Sequence, residues 1–153
     1  KADEMHVNMS SGSDLKMTLE SPEAKFNMSS GSDAIVKYEG KVLTINASSG
    51  SDFEIDADEL EELDLDMSSG SDVELHGSAA SFKVNASSGS DLDAFDFVAV
   101  NAMINTSSAS DVKITMAGGN LTVNASSASS VRYKGKVKNS RVNASSLASV
   151  KKQ

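Results

Sequence analysis

The sequence predicts an all-β protein, a right-handed parallel β-helix (β-solenoid) of about eight rungs with 19–20 residues per rung. Three observations carry this reading. One heptad recurs eight times, as NMSSGSD, NMSSGSD, NASSGSD, DMSSGSD, NASSGSD, NTSSASD, NASSASS and NASSLAS. Its copies begin at Asn8, Asn27, Asn46, Asp66, Asn85, Asn105, Asn124 and Asn143, always 19 or 20 residues apart. The flanking residues alternate apolar and polar with a period of two, which is the strand period. A β-sandwich of short strands is the rival fold, and the near-identity of the copies argues against it.

Within a repeat, the residues three and one before the Asn, and the one after it, are mostly apolar, as in Leu43, Ile45 and Ala47. After the heptad's Asp the pattern resumes, with Phe53 and Ile55, Val73 and Leu75, Val112 and Ile114. The parity places the Asn, the first Ser, the Gly and the Asp outward. It turns the second and third Ser, such as Ser49, Ser51 and Ser88, inward or along a bend. The constant bend therefore falls at SSGSD. A variable turn is expected between motifs, where Pro22, Gly40, Gly77, Gly118, Gly119 and Gly135 occur. The acidic stretch 57–63 (ADELEEL) reads as a charged turn in preference to a helical one.

A unit this short cannot bury its own apolar face, so copies must stack, at roughly 4.8 Å per rung. The crossover preference makes the coil right-handed, and eight rungs give a rod on the order of 35–40 Å long. Equivalent residues then form columns. Asn8, Asn27, Asn46, Asn85, Asn105, Asn124 and Asn143 are expected to form a structural ladder together with Ser49 and Ser88. Serine hydroxyls both donate and accept, so serine columns are expected to pass hydrogen bonds from rung to rung. The whole chain, 1–153, reads as a single solenoid domain. It starts at Lys1 and not at an initiator Met, and reads as a mature, processed chain.

Composition narrows the chemistry. There is no Cys and no Trp, and five Phe and two Tyr supply all the aromatics. No run approaches the length of a membrane span, and membrane insertion is not expected. Residues 1–111 hold all 22 acidic residues and six basic ones, a net charge of −16. Residues 112–153 hold eight basic residues and no acidic one, a net charge of +8. Stacking makes this an acidic body with a basic end, where Lys113, Arg132, Lys134, Lys136, Lys138 and Arg141 form a basic patch. With Tyr133 as its one aromatic, that end lacks a stacking platform, and nucleic acid is not an expected partner. Self-association through the solenoid ends or faces, an anionic polysaccharide and a membrane-proximal position fit it equally well.

Asp14, Asp33, Asp52, Asp72, Asp91 and Asp111 are expected to form one column. Each is read as capping its own turn through nearby Ser amides. Calcium, which takes six to eight oxygens, is the sharper alternative for this column, and otherwise no metal or cofactor is expected. The Asn-x-Ser triplets are formal glycosylation sequons, but they are read as a by-product of the Asn ladder. Catalysis has little support. His6 and His76 are the two histidines, and there is no thiol, no His/Cys metal cluster and no phosphate-cradling loop.

The repeated SSGSD, followed by apolar–x–apolar, a Gly- or Ala-bearing turn and another L-x-V strand, resembles the auto-transporter adhesin head GIN domain family of bacterial secreted and envelope proteins. DVELHGSAASFKVNASSGSDL (72–92) is the closest stretch, and the resemblance extends along essentially the whole chain. It departs at the C-terminal end, where the Gly becomes Ala109, Ala128 and Leu147 and the Asp becomes Ser130 and Ser149. The resemblance implies a parallel β-solenoid exported to the cell surface, periplasm or exterior. It also implies a loosely defined role in adhesion, with a host or neighbouring-cell surface protein or glycan as partner. The expected function is thus a non-enzymatic adhesin or interaction scaffold. A polysaccharide-active β-helix enzyme and a calcium-stabilised structural module are the alternatives.

Overall fold

The computed structural model describes residues 3–153. Lys1 and Ala2, which belong to the expected domain and include its expected processed start, lie outside the described residues. Thirteen strands follow one another. The first five are short: β1 (Glu4–Met9), β2 (Asp14–Glu20), β3 (Glu23–Met28), β4 (Asp33–Glu39) and β5 (Val42–Ala47). Three long strands form the middle: β6 (Asp52–Met67), β7 (Asp72–Ala86) and β8 (Asp91–Thr106). Five short ones close the chain: β9 (Asp111–Ala117), β10 (Asn120–Ala125), β11 (Ser130–Lys136), β12 (Asn139–Ala144) and β13 (Ser149–Lys152). There is no helix among the described residues. All strands belong to one sheet and every strand pair is parallel. The chain coils as a β-solenoid of about eight turns, one per heptad.

The register follows the repeat. Asn8 pairs with Asn27, Asn27 with Asn46, Asn46 with Asp66 and Asp66 with Asn85. The column continues through Asn105 and Asn124 to Asn143. Asp14, Asp33, Asp52, Asp72, Asp91 and Asp111 form a second column, which Ser130 and Ser149 extend.

The constant bend lies at SSGSD as expected, and its backbone shows how. The second Ser and the Gly both take left-handed conformations, φ 57° at Ser49 and 69° at Gly50. Gly tolerates this at no steric cost. The two successive residues reverse the chain within one heptad and leave their amides for the neighbouring rung. Gly31 N–H donates to the Ser49 carbonyl and Gly50 N–H to the Ser69 carbonyl, each at 3.1 Å. Of the two candidate inward serines, the third is the buried one, with Ser51 fully buried. Ser49 and Ser88 line the bend with exposed side chains, so their part in stacking is through the backbone.

The expected charged turn at 57–63 is not a turn. β6 runs through it, and β7 and β8 likewise run through the corresponding segments. The strands round the corner on local irregularities, with register shifts between Ala57 and Leu60, Glu74 and His76, and Ala94 and Val98. Glu59, at φ 57°, makes the first of these. A bulge of this kind absorbs an extra residue without ending the ladder, which is how 19- and 20-residue rungs stack together. In the narrower N-terminal rungs the corner is a true turn between β4 and β5. There the Tyr38 hydroxyl lies among the carbonyls of Val42, Ser21 and Pro22 at 2.8, 2.9 and 3.2 Å. A Cβ at Gly40 would collide with that ring and the Ser21 carbonyl, so only Gly fits.

The core is a thin stack of inward residues. Phe26, Leu43, Ile45, Leu63, Leu65, Leu75, Phe97 and Ile104 have no exposed surface. Phe26 packs on Phe53, and Phe82 on Phe97, each with ring centroids 5.3 Å apart. The inner serine column is not the relay that donor–acceptor symmetry suggests. Ser71 and Ser110 donate to backbone carbonyls of the preceding rung, those of Ala47 and Ala86. The hydroxyls of Ser32, Ser51 and Ser90 have no partner among the described residues. At Ser129 the hydroxyl accepts from the Thr106 hydroxyl at 2.9 Å, an isolated pair. The backbone ladder already fixes the spacing, so no chain of hydroxyls forms.

Candidate ligand-binding groove

The bend is concave on the side of the heptad's first three residues. The Asn and the first Ser both point outward from it, and the residue between them points inward. Stacked eight times, this makes a groove of about 1200 Å³ that runs the length of the solenoid, from Asn8–Ser10 to Asn143–Ser145. One wall is the Asn column and the other the first-Ser column (Ser10, Ser29, Ser48, Ser68, Ser87, Ser107 and on). Its floor is backbone at residues such as Ala47, Met67 and Ala86, whose side chains are buried.

The Asn wall is held by side-chain hydrogen bonds in one direction. Each Nδ2 donates to the Oδ1 of the preceding rung. Asn27 donates to Asn8 and Asn46 to Asn27 at 2.7 Å. Asn105 donates to Asn85 at 2.9 Å, and Asn124 to Asn105 and Asn143 to Asn124 at 2.8 Å. Asn85 donates to Asp66 Oδ1 at 2.6 Å. A shorter second ladder passes Asn101, Asn120 and Asn139, with Asn139 donating to Asn120 Oδ1 at 2.9 Å. An amide carries two N–H groups and two lone pairs on its oxygen. Each asparagine of the wall thus keeps one donor and one acceptor free for a ligand, while Asp66 offers acceptors alone.

On the far side of the bend the same heptad builds a different surface. The Asp column stands beside a second outward column, two residues on, that holds Glu54, Glu74, Asp93 and Lys113. The two line a smaller groove of about 490 Å³. The six Asp side chains do not cap their turns; the bend amides bond backbone carbonyls instead, as in Asp52 N–H to Ser32. Nor does any group of three or more His, Asp or Glu converge as a metal cage among the described residues. Partial burial, together with the flanking charges of Asp52 and Asp91, pushes the Asp72 carboxyl up. At Asp93 partial burial pushes the same way but is outweighed. A 2.9 Å hydrogen bond from Lys113, the Phe95 amide and the charges of Lys113 and Lys134 hold its carboxyl below the usual range. The same hydrogen bond raises Lys113.

Residues 34–137 match the family described as "Putative auto-transporter adhesin, head GIN domain". The chain belongs to this family. The match is narrower than the whole-chain resemblance read from the repeats: it takes in the middle rungs and leaves out the first and last. No curated protein and no solved structure matches the chain.

Within this GIN domain Arg132 stands in register between Lys113 and Lys151. Lys113 pairs with Asp93 at 2.9 Å and Arg132 with Asp111 at 3.7 Å, so both neutralise the end of the acidic face. Lys134 lies over the Phe95 ring, 4.6 Å from its centroid. Lys136, Lys138 and Arg141 are exposed on the last rungs. The seven ladder asparagines and Asp66, by contrast, are brought into a single line. The facing serine wall was not singled out as a site from sequence, although parity had turned it outward. The available signal was that the Asn and the first Ser straddle one inward residue, which at a concave bend makes two walls.

Proposed function

We propose that this GIN domain is a non-enzymatic adhesion module, exported and displayed at the cell surface, that holds its ligand along the Asn–Ser groove. The observation that carries the reading is the continuity of that groove. It crosses all eight rungs and repeats an amide or carboxylate on one wall and a hydroxyl on the other at each step. A ladder of weak, identical contacts suits an extended partner, because affinity accumulates along a linked chain without any strong single site. The backbone stack holds the walls in place, so ordering the site costs the binding event little. Elongated surface polymers are the partners such a groove accommodates.

Filling the groove tests this. Ser87→Trp places an indole between the walls at mid-length, on an outward position that leaves the core alone. Beads coated with the variant are expected to lose attachment to cells or glycan surfaces that the wild-type protein binds, with Tm unchanged. Undiminished attachment by a folded Ser87→Trp protein would sink the groove as the binding face.

A further inference from the structure

We infer that the groove takes an extended amino-sugar polymer, one of whose ammonium groups seats between Asn46 and Asp66. This rests on the groove being the binding face. The argument starts from the direction of the ladder. Every Asn that follows another in the column donates Nδ2 to the Oδ1 before it. Asp66 breaks the rule. Its Oδ1 accepts from Asn85, as an asparagine's would, so Oδ2 stands in the place of Nδ2. A carboxylate oxygen has no hydrogen to give. Asn46 Oδ1 therefore lacks the donor that the other ladder steps supply, and no side-chain hydrogen bond joins Asn46 to Asp66 among the described residues.

Two acceptors, one of them anionic, thus meet on the groove wall near its middle. The protein's own cations do not answer them. Lys83, on the neighbouring rung, pairs with Asp64 at 3.6 Å, and no ion pair reaches Asp66 among the described residues. An ammonium group has three donors and no acceptor, which is the complement of this site.

The rest of the groove identifies what carries the ammonium. The walls are neutral amides and hydroxyls, so the partner is mainly neutral and rich in groups that both donate and accept. Sugar hydroxyls meet both conditions. One carboxylate among eight rungs asks for an occasional amine, not a polycation. The repeat also has the right pitch. Rungs rise by about 4.8 Å, close to the advance of one sugar in an extended, equatorially linked glycan. An extended peptide advances about 3.3 Å per residue and falls out of step with the ladder within a few rungs. Anionic polymers are repelled at Asp66.

Asp66→Asn separates function from stability, because it supplies the missing donor and closes the ladder. The experiment is titration calorimetry with N-acetylglucosamine oligomers that carry a single free glucosamine (the glucosamine oligomers), fully acetylated N-acetylglucosamine oligomers and oligolysine, on wild type and D66N at low salt. Glucosamine oligomers are expected to bind wild type and to bind D66N roughly tenfold or more weakly, since a charged hydrogen bond is lost. N-acetylglucosamine oligomers are expected to bind both proteins alike, while Tm of D66N rises by about 2–4 °C. Equal affinity of the two proteins for glucosamine oligomers overturns the ammonium site. Oligolysine binding tighter than glucosamine, with the same dependence on Asp66, overturns the sugar assignment. No binding of either sugar by wild type, while Ser87→Trp still abolishes surface attachment, overturns the inference but leaves the adhesion reading standing.

Discussion

The two faces of the bend are made by the same eight heptads, yet stacking has opposite consequences on them. On the Asn face, identical neighbours attract, because an amide donates to the rung below and accepts from the rung above. On the Asp face, identical neighbours repel, because carboxylates only accept. The repeat that aligns Asn85 with Asn105 also aligns Asp72 with Asp91. A single backbone geometry thus couples a self-satisfying wall to a self-repelling one. Residues that both donate and accept gain from translational repetition, and singly charged residues lose by it unless the column changes composition. Both columns do change. The amide ladder is interrupted at Asp66, and the acidic face is relieved at Lys113 and Arg132.

The largest expected effect comes from breaking the attractive face. Asn85→Leu removes both its donation to Asp66 and its acceptance from Asn105. It should cost about 1–3 kcal/mol, read as a lower urea midpoint with unchanged slope. A comparable loss from a cut in the Asp column would show that the two faces are energetically alike.

The second effect sharpens the contrast on the acidic side and has the opposite sign. Asp72→Asn removes a carboxylate crowded by Asp52 and Asp91. It should stabilise the fold by up to about 1 kcal/mol at neutral pH, fading as salt is added. The pH dependence follows from the raised Asp72 value. A carboxyl whose folded pKa exceeds its unfolded one favours folding when protonated, and that contribution is lost as pH rises through the folded value. The advantage of Asp72→Asn should therefore appear on going from acid to neutral pH. Asp93, held low by Lys113, behaves inversely. Its contribution is present above its unfolded pKa and disappears as pH falls through the folded one. Asp93→Asn should accordingly be slightly destabilising at neutral pH and silent in acid, and thermal melts across pH would show the crossing.

The smallest effect lies at the bend shared by both faces. Ala109, Ala128 and Leu147 occupy the left-handed position that Gly holds in earlier rungs, at φ 62°, 62° and 67°. Ala128→Gly relieves this at the expense of backbone freedom. A gain of a few tenths of a kcal/mol up to about 1 kcal/mol is expected, seen as a small rise in Tm.

Much of this architecture was legible in the sequence because the repeat is strict. The spacing of the heptads gave the rungs, and alternation at Leu43, Ile45 and Ala47 gave the inward parity. Register then followed by aligning like with like. What escaped the sequence reading depends on corners. Residues 57–63 carry the charge of a turn and one left-handed residue, Glu59, but their neighbours on both sides are strands in register, so the segment bulges and continues. Ser49 has inward parity by counting, but it sits in the left-handed bend itself and stays exposed, while Ser51, of the same parity, enters the core. Capping of the bend by Asp did not form: the amides of the first Ser, the Gly and the Asp bond carbonyls of the adjoining rungs, as at Ser48, Gly50 and Asp52. The groove was half visible. Its Asn wall stood out as a column, whereas the Ser wall needed the concavity of the bend, which no pattern of letters displays. The break at Asp66 is plain in DMSSGSD, and it gains meaning only once the ladder's direction is known.

The left-handed bends also bear on what happens when the rod is pulled. Bends with Gly turn the first five rungs, and bends with a Cβ in the same conformation turn the last three. Force applied along the chain from the C-terminal side meets the weaker bends first and peels rungs in sequence. Each rung of 19–20 residues pays out about 65 Å of slack as it extends. Under such a load the solenoid lengthens one rung at a time from its C-terminal end.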